Sequence, residues 1–106
     1  MTEVSVTATA SKIATSLGLS ERELSRQALI SLLCEQKRQV LQLGLNILTR
    51  YGADSLEDLE TKIAQGSVVE HPASEDLIVA ENLTARLEEL DAYLGRLQGA
   101  SADIAE

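Results

Sequence analysis

A long run without a helix breaker constrains this chain more than any other feature. From Glu21 to Arg50 the sequence ERELSRQALISLLCEQKRQVLQLGLNILTR holds no proline, and its one glycine is Gly44. Leu29, Leu33, Val40 and Ile47 fall on one stripe at helical spacing, widened by Leu41, Leu45, Leu48 and Tyr51. Gly44 costs about 1 kcal/mol against alanine in a helix interior. The helix is expected to pass through it, with room for a bend, and to stop at Gly52. About 30 residues of helix are ~45 Å long. A compact monomer of 106 residues would not comfortably cover such a rod, so the run favours a partner chain.

The start of this helix is the best-defined local feature. Ser20 and Glu23 have the spacing of a capping box, and Leu19 and Leu24 occupy the staple positions. Upstream, residues 10–17 read as a short helix with Ile13, Ala14 and Leu17 on one face. Gly18 suits its left-handed stop. Before that, Glu3 to Thr9 alternates, with Val4, Val6 and Ala8 on one side and Ser5, Thr7 and Thr9 on the other. A period of two with β-branched residues predicts a short strand that needs a pairing partner. A frayed terminus is the alternative.

After Gly52, Asp54 or Ser55 caps a third helix with Leu56, Leu59 and Ile63 on its apolar face, ending at Gly66. Ser67 to Pro72 is a connector. A fourth helix is expected from Ala73 or Ser74 to about Gln98. Its Ala80, Leu83, Leu87, Leu90, Leu94 and Leu97 alternate at spacings of three and four, an apolar seam. Gly99 to Glu106 reads as a tail. There is no internal repeat. The expected fold is therefore mainly α: a short N-terminal strand, a short helix, a long helix, then two further helices.

The core must be thin, because the chain has no Trp or Phe and only two Tyr. Charge divides the chain. Residues 1–50 carry six Lys or Arg against four Glu, a net of +2. Residues 51–106 carry three against thirteen acids, a net of −10, which gives −8 in all. Such asymmetry suggests different partners for the two halves, or simply a solubilising acidic surface. The opening residues show no secretory leader, no apolar run approaches the ~20 residues that span a bilayer, and Cys34 is alone. The expectation is a cytoplasmic protein that does not enter membranes.

Chemistry is sparse. His71, before Pro72, reads as a surface residue, and no second His or Cys supports zinc. Cys34 has no activating neighbour in sequence and reads as a small buried apolar residue. No glycine-rich phosphate loop occurs. No catalytic residue, metal or cofactor is expected, and the chain is read as not an enzyme.

With Gly18-Leu19-Ser20 and Glu23 to Leu29 in place, residues 3–33 resemble the ribbon-helix-helix DNA-binding family. The resemblance implies a homodimer whose paired strands enter the major groove. Val4 and Val6 would face the dimer core, and Ser5, Thr7 and Thr9 the base edges. The amides of Ser20 and Glu21 would hold a phosphate, with Arg22 or Arg26 adding a backbone contact. The strand lacks Arg and Lys, a departure from the family. Ala14, Gly18, Leu19, Ser20 and Leu24 also look like a helix-turn-helix. Residues 51–97 resemble the C-terminal part of small prokaryotic antitoxin-like proteins. Jointly these resemblances imply an antitoxin-like or autoregulatory transcription factor. Residues 1–50 would dimerise and bind DNA, residues 51–98 would form an acidic arm, and residues 99–106 a flexible tail. Leu56, Leu59, Ile63, Leu77, Leu83 and Leu87 would anchor a basic protein partner such as a toxin. The rival reading is a helical oligomerisation or adaptor protein that does not bind DNA.

Overall fold

The computed structural model describes residues 5–105, with side chains described for residues 5–99. The described residues form four helices: α1 (Val6–Leu17), α2 (Glu21–Arg50), α3 (Leu56–Ala64) and α4 (Glu70–Ala105). There is no β-strand among the described residues. The expected N-terminal strand is therefore corrected to a helix start, with Glu3 and Val4 lying outside the described residues.

The correction has a local cause. Ser5 has an extended backbone (φ −74°, ψ 119°), and its Oγ accepts the Ala8 N–H at 3.2 Å, the geometry of an N-cap. The alternation that suggested a strand also satisfies a helical stripe through Val6, Ala10, Ile13, Ala14 and Leu17. Two periods compete over so short a stretch, and α2 supplies a helix-packing surface where a strand would need another strand. Gly18 ends α1 at φ 71°, with Leu19 N–H bonded to Ala14 O at 2.9 Å and Gly18 N–H to Thr15 O at 3.2 Å.

Ser20 caps α2, its Oγ accepting the Glu23 N–H at 3.0 Å. Only this half of the reciprocal box forms, because the Glu23 carboxylate turns to Arg26, with Oε2 at 2.7 Å from its Nε. The helix then runs unbroken through Gly44 to Arg50. Gly52 takes φ 63° beyond its end, and Ser55 caps α3 through the Asp58 N–H at 3.0 Å. α4 has one non-helical residue, His71 (φ −110°, ψ 118°). Pro72 explains it, since its ring disfavours the α region for the residue before it, while proline itself suits a first helical turn.

α2 and α4 form an antiparallel hairpin. Arg50 meets Asp76 and Lys37 meets Asp91, so α4 numbers rise as α2 numbers fall. Two stretches of core run along it. Ile47, Leu59 and Ala80 form a cluster flanked by Leu48, Tyr51, Leu56, Ile63, Leu77 and Leu83, which locks α3 onto the hairpin. Val40, Leu90 and Leu94 are buried farther along. α1 buries only Ala14.

The molecule measures 59 × 45 × 16 Å with a radius of gyration of 20.3 Å. A compact domain of this length has a radius near ~13 Å. The shortest dimension is little more than one helix diameter of ~10–12 Å. Thinness also corrects the reading of Cys34, which is exposed rather than buried. At 100° per residue it lies about 120° around α2 from Val40, at the open edge of a groove beside Asp91 and Gly95 of α4.

Candidate interaction surface

The residues expected to read DNA do not form a reading surface. Ser5 is spent on the α1 cap. Thr7 and Thr9 are exposed positions on α1, and Thr9 lines a groove between α1 and α2 with Val6, Ala10, Ile13, Leu24 and Ala28. Without a strand among the described residues there is no ribbon to enter a groove, which removes the basis for DNA binding and for the ribbon-helix-helix dimer. Ser20 serves the α2 cap, with Glu21 and Arg22 exposed beside it. Arg26 is clamped by Glu23 through both Nε and Nη2. This pairing holds Glu23 below the usual carboxylate range and Arg26 above its own, the hydrogen bond being the main cause in each. A helix-turn-helix fares no better, since α2 continues for 30 residues instead of ending as a short recognition helix.

The expected anchors for a basic partner are placed differently. Leu59 is completely buried, and Leu56, Ile63, Leu77 and Leu83 pack around it. They hold α3 to the hairpin, with Leu59 wholly inside and the others partly buried around it. Leu87 lines an open groove with Leu41, Gly44, Leu45 and Leu48, and Leu56 and Leu83 border it where they leave the core. The antitoxin-like reading, which joined a DNA-binding ribbon to an acidic arm capturing a toxin, loses its first half with the strand.

Leu32, Leu43, Tyr93 and Arg96 lie on the surface and were not singled out from sequence. One side of the α2–α4 hairpin carries a groove lined by Leu29, Leu32, Leu33, Tyr93, Arg96 and Leu97. The groove with Leu41, Gly44 and Leu87 shares none of these residues and abuts Leu56 of α3. Val6 is 82 % exposed, Leu17 62 %, Leu32 56 % and Leu43 53 %. Exposed apolar side chains are ordinary when scattered, but contiguous ones mark contact sites. A sequence signal existed for the first groove. Leu29, Leu32, Gln36, Gln39 and Leu43 step by three and four along α2, displaced from the stripe that meets α4.

Polar pairs pin the hairpin along its length. The Tyr51 hydroxyl donates to Asp76 Oδ2, and Arg50 Nη1 donates to the same oxygen at 2.8 Å. The Tyr51 bond, then Arg50, draws the Asp76 carboxyl below its ordinary range against a partial desolvation that opposes it. Tyr51 is pushed up, chiefly by that same bond. Lys37 Nζ lies 2.8 Å from Asp91 Oδ1, and this bond raises the lysine above its usual range. These groups hold helices together. No cluster of three or more His, Cys, Asp or Glu able to hold a metal occurs among the described residues. No described helix is long and apolar enough to cross a membrane.

Comparison with known proteins gives one result. The family model described as "Uncharacterized protein MJ0235 family" matches residues 1–102. No curated protein and no solved structure matches the chain.

Proposed function

We propose that this chain, which belongs to the uncharacterized protein MJ0235 family, is a non-catalytic helical oligomerisation or adaptor protein. One observation carries the reading. The hairpin is a single layer 16 Å thick with apolar side chains on its surface away from the α2–α4 contact. A chain with so few large side chains gains most by sharing a core with another chain. Ser5, Ser20 and Ser55 serve helix caps, and Arg50, Tyr51, Asp76, Lys37 and Asp91 pair between helices, an arrangement suited to scaffolding.

The lone cysteine fits a reducing cytoplasm, where structural disulfides are rare. Under this reading the protein works by assembling, and the surfaces that assembly leaves open recruit other proteins. Sedimentation equilibrium from low micromolar to high micromolar concentration tests it. The expected result is a reversible oligomer. A strictly monomeric, folded protein throughout that range would overturn the reading.

A further inference from the structure

We infer that the occupant of the Leu29–Tyr93 face is a second copy of this chain, lying antiparallel across it; the inference rests on the oligomerisation reading above. The pattern along that face is nearly symmetric about its middle. At one end of α2 stand Leu29 and Leu32, half-exposed or more, and toward the other stands Leu43, with Gln36 and Gln39 between. α4 repeats this, with Tyr93 at the first end, Val79 at the second and Arg86 between, spaced by seven residues each way. Residues seven apart on a helix lie on one side.

A two-fold axis perpendicular to the helices, between Gln36 and Gln39, exchanges the two ends. Leu32 of one copy then meets Leu43 of the other. The polar middles meet each other, and polar residues within an apolar seam fix register and orientation. A parallel arrangement would set Leu32 on Leu32 and Gln36 on Gln36, so the apolar pattern admits both directions and charge decides between them. The axis also falls near the midpoint of α2 (Glu21–Arg50), so the two hairpins overlap almost fully. Two helices side by side, ~45 Å long and ~20 Å across, present ~900 Å² in outline. A standard stable interface needs about 800 Å² per partner.

Charge favours the antiparallel direction. The end with α1 and the start of α2 carries Lys12, Arg22 and Arg26 against Glu21 and Glu23, with Arg96 of α4 farther along beside Leu29 and Leu32. The other end carries Asp54, Glu57, Asp58 and Glu60 against Lys62, with Arg50 engaged by Asp76. Antiparallel pairing sets the basic end over the acidic end, and parallel pairing would set like over like. The other groove is partly closed by Leu56 of α3 and carries no such exchange of ends.

The test uses the full chain. Leu32→Asp is expected to weaken association at least tenfold in sedimentation equilibrium while its circular dichroism stays helical. Independently, Leu32→Cys and Leu43→Cys are made separately in a Cys34→Ser background. When mixed and oxidised they are expected to yield a mixed disulfide, and each alone is expected to yield far less. Self-crosslinking of each variant alone, with no preference for the mixture, would overturn the antiparallel register. An association unchanged in Leu32→Asp but lost in Leu41→Asp would overturn the choice of face and leave oligomerisation standing. A monomeric wild-type chain would remove the oligomerisation reading itself.

Discussion

Tyr51 and Asp76 are joined across the closed end of the hairpin, with the tyrosine hydroxyl donating to the carboxylate and Arg50 bound to the same oxygen. The two groups titrate in opposite directions from their ordinary ranges. Asp76 is depressed, so its contribution is present above the usual aspartate range and is lost as pH falls through its lowered value. Tyr51 is raised, so its contribution is present below the usual tyrosine range and is lost as pH climbs through its elevated value. Thermal midpoints are expected to hold level across neutral pH and to fall on both sides. Asp76→Asn should lower the neutral midpoint by a few degrees and flatten the acid side, as read by circular dichroism melts from acid to neutral pH. An unchanged acid limb would assign that limb to other carboxylates.

Leu59 separates a core role from a display role. It is fully buried between α3 and the hairpin. Leu59→Ala should cost about 2–5 kcal/mol, the range for truncating a buried leucine. Hydrogen exchange should show α3 losing protection before the middle of α2. Leu17→Ala, on an exposed position of α1, should shift the denaturation midpoint by far less.

The caps give a smaller and cleaner effect. Ser20 and Ser55 each accept one amide hydrogen at a helix start, at 3.0 Å in both cases. Ser20→Ala and Ser55→Ala are each expected to cost about 1 kcal/mol in urea denaturation. Replacement by Asp should restore most of the loss, because an aspartate accepts the same bond and favours the positive end of the helix.

Two glycines should respond with opposite sign. Gly44 lies inside α2, and a Cβ there would meet nothing within 4 Å. Gly44→Ala is expected to stabilise the fold by about 0.5–1 kcal/mol. Gly52 holds φ 63°, a left-handed conformation. Gly52→Ala is expected to destabilise by about 1 kcal/mol although its surroundings are equally open. Chemical denaturation of the pair checks the argument, since packing alone would predict the same outcome for both.

The parts of the fold legible in sequence were those fixed by local chemistry. Ser20, Gly18 and Ser55 announce helix ends through hydrogen bonds that close within a few residues, and the apolar stripe of α2 needs no tertiary knowledge to be seen. Glu3 to Thr9 failed because its choice between periods depended on what lay opposite. Cys34 failed for a related reason: burial was inferred from an aliphatic neighbourhood in sequence, but the number of helices packed against α2 decides it. Leu59 and Ile63 show the same confusion in reverse. An apolar helix face is visible in sequence, and whether it meets this chain or another is not. The face bearing Leu32 and Leu43 could have been found from spacing, but it was hidden beside a stronger stripe only a fraction of a turn away.

A sheet of helices 16 Å thick has a consequence for how the protein must be handled by a cell. If half of its shelter comes from other copies, its folding equilibrium depends on how many copies exist. Stability is then linked to abundance by mass action, and a tenfold dilution lowers the melting temperature with no change in sequence or solvent. Copies too dilute to meet one another stay open to proteases, so the thin layer acts as a gauge of its own supply.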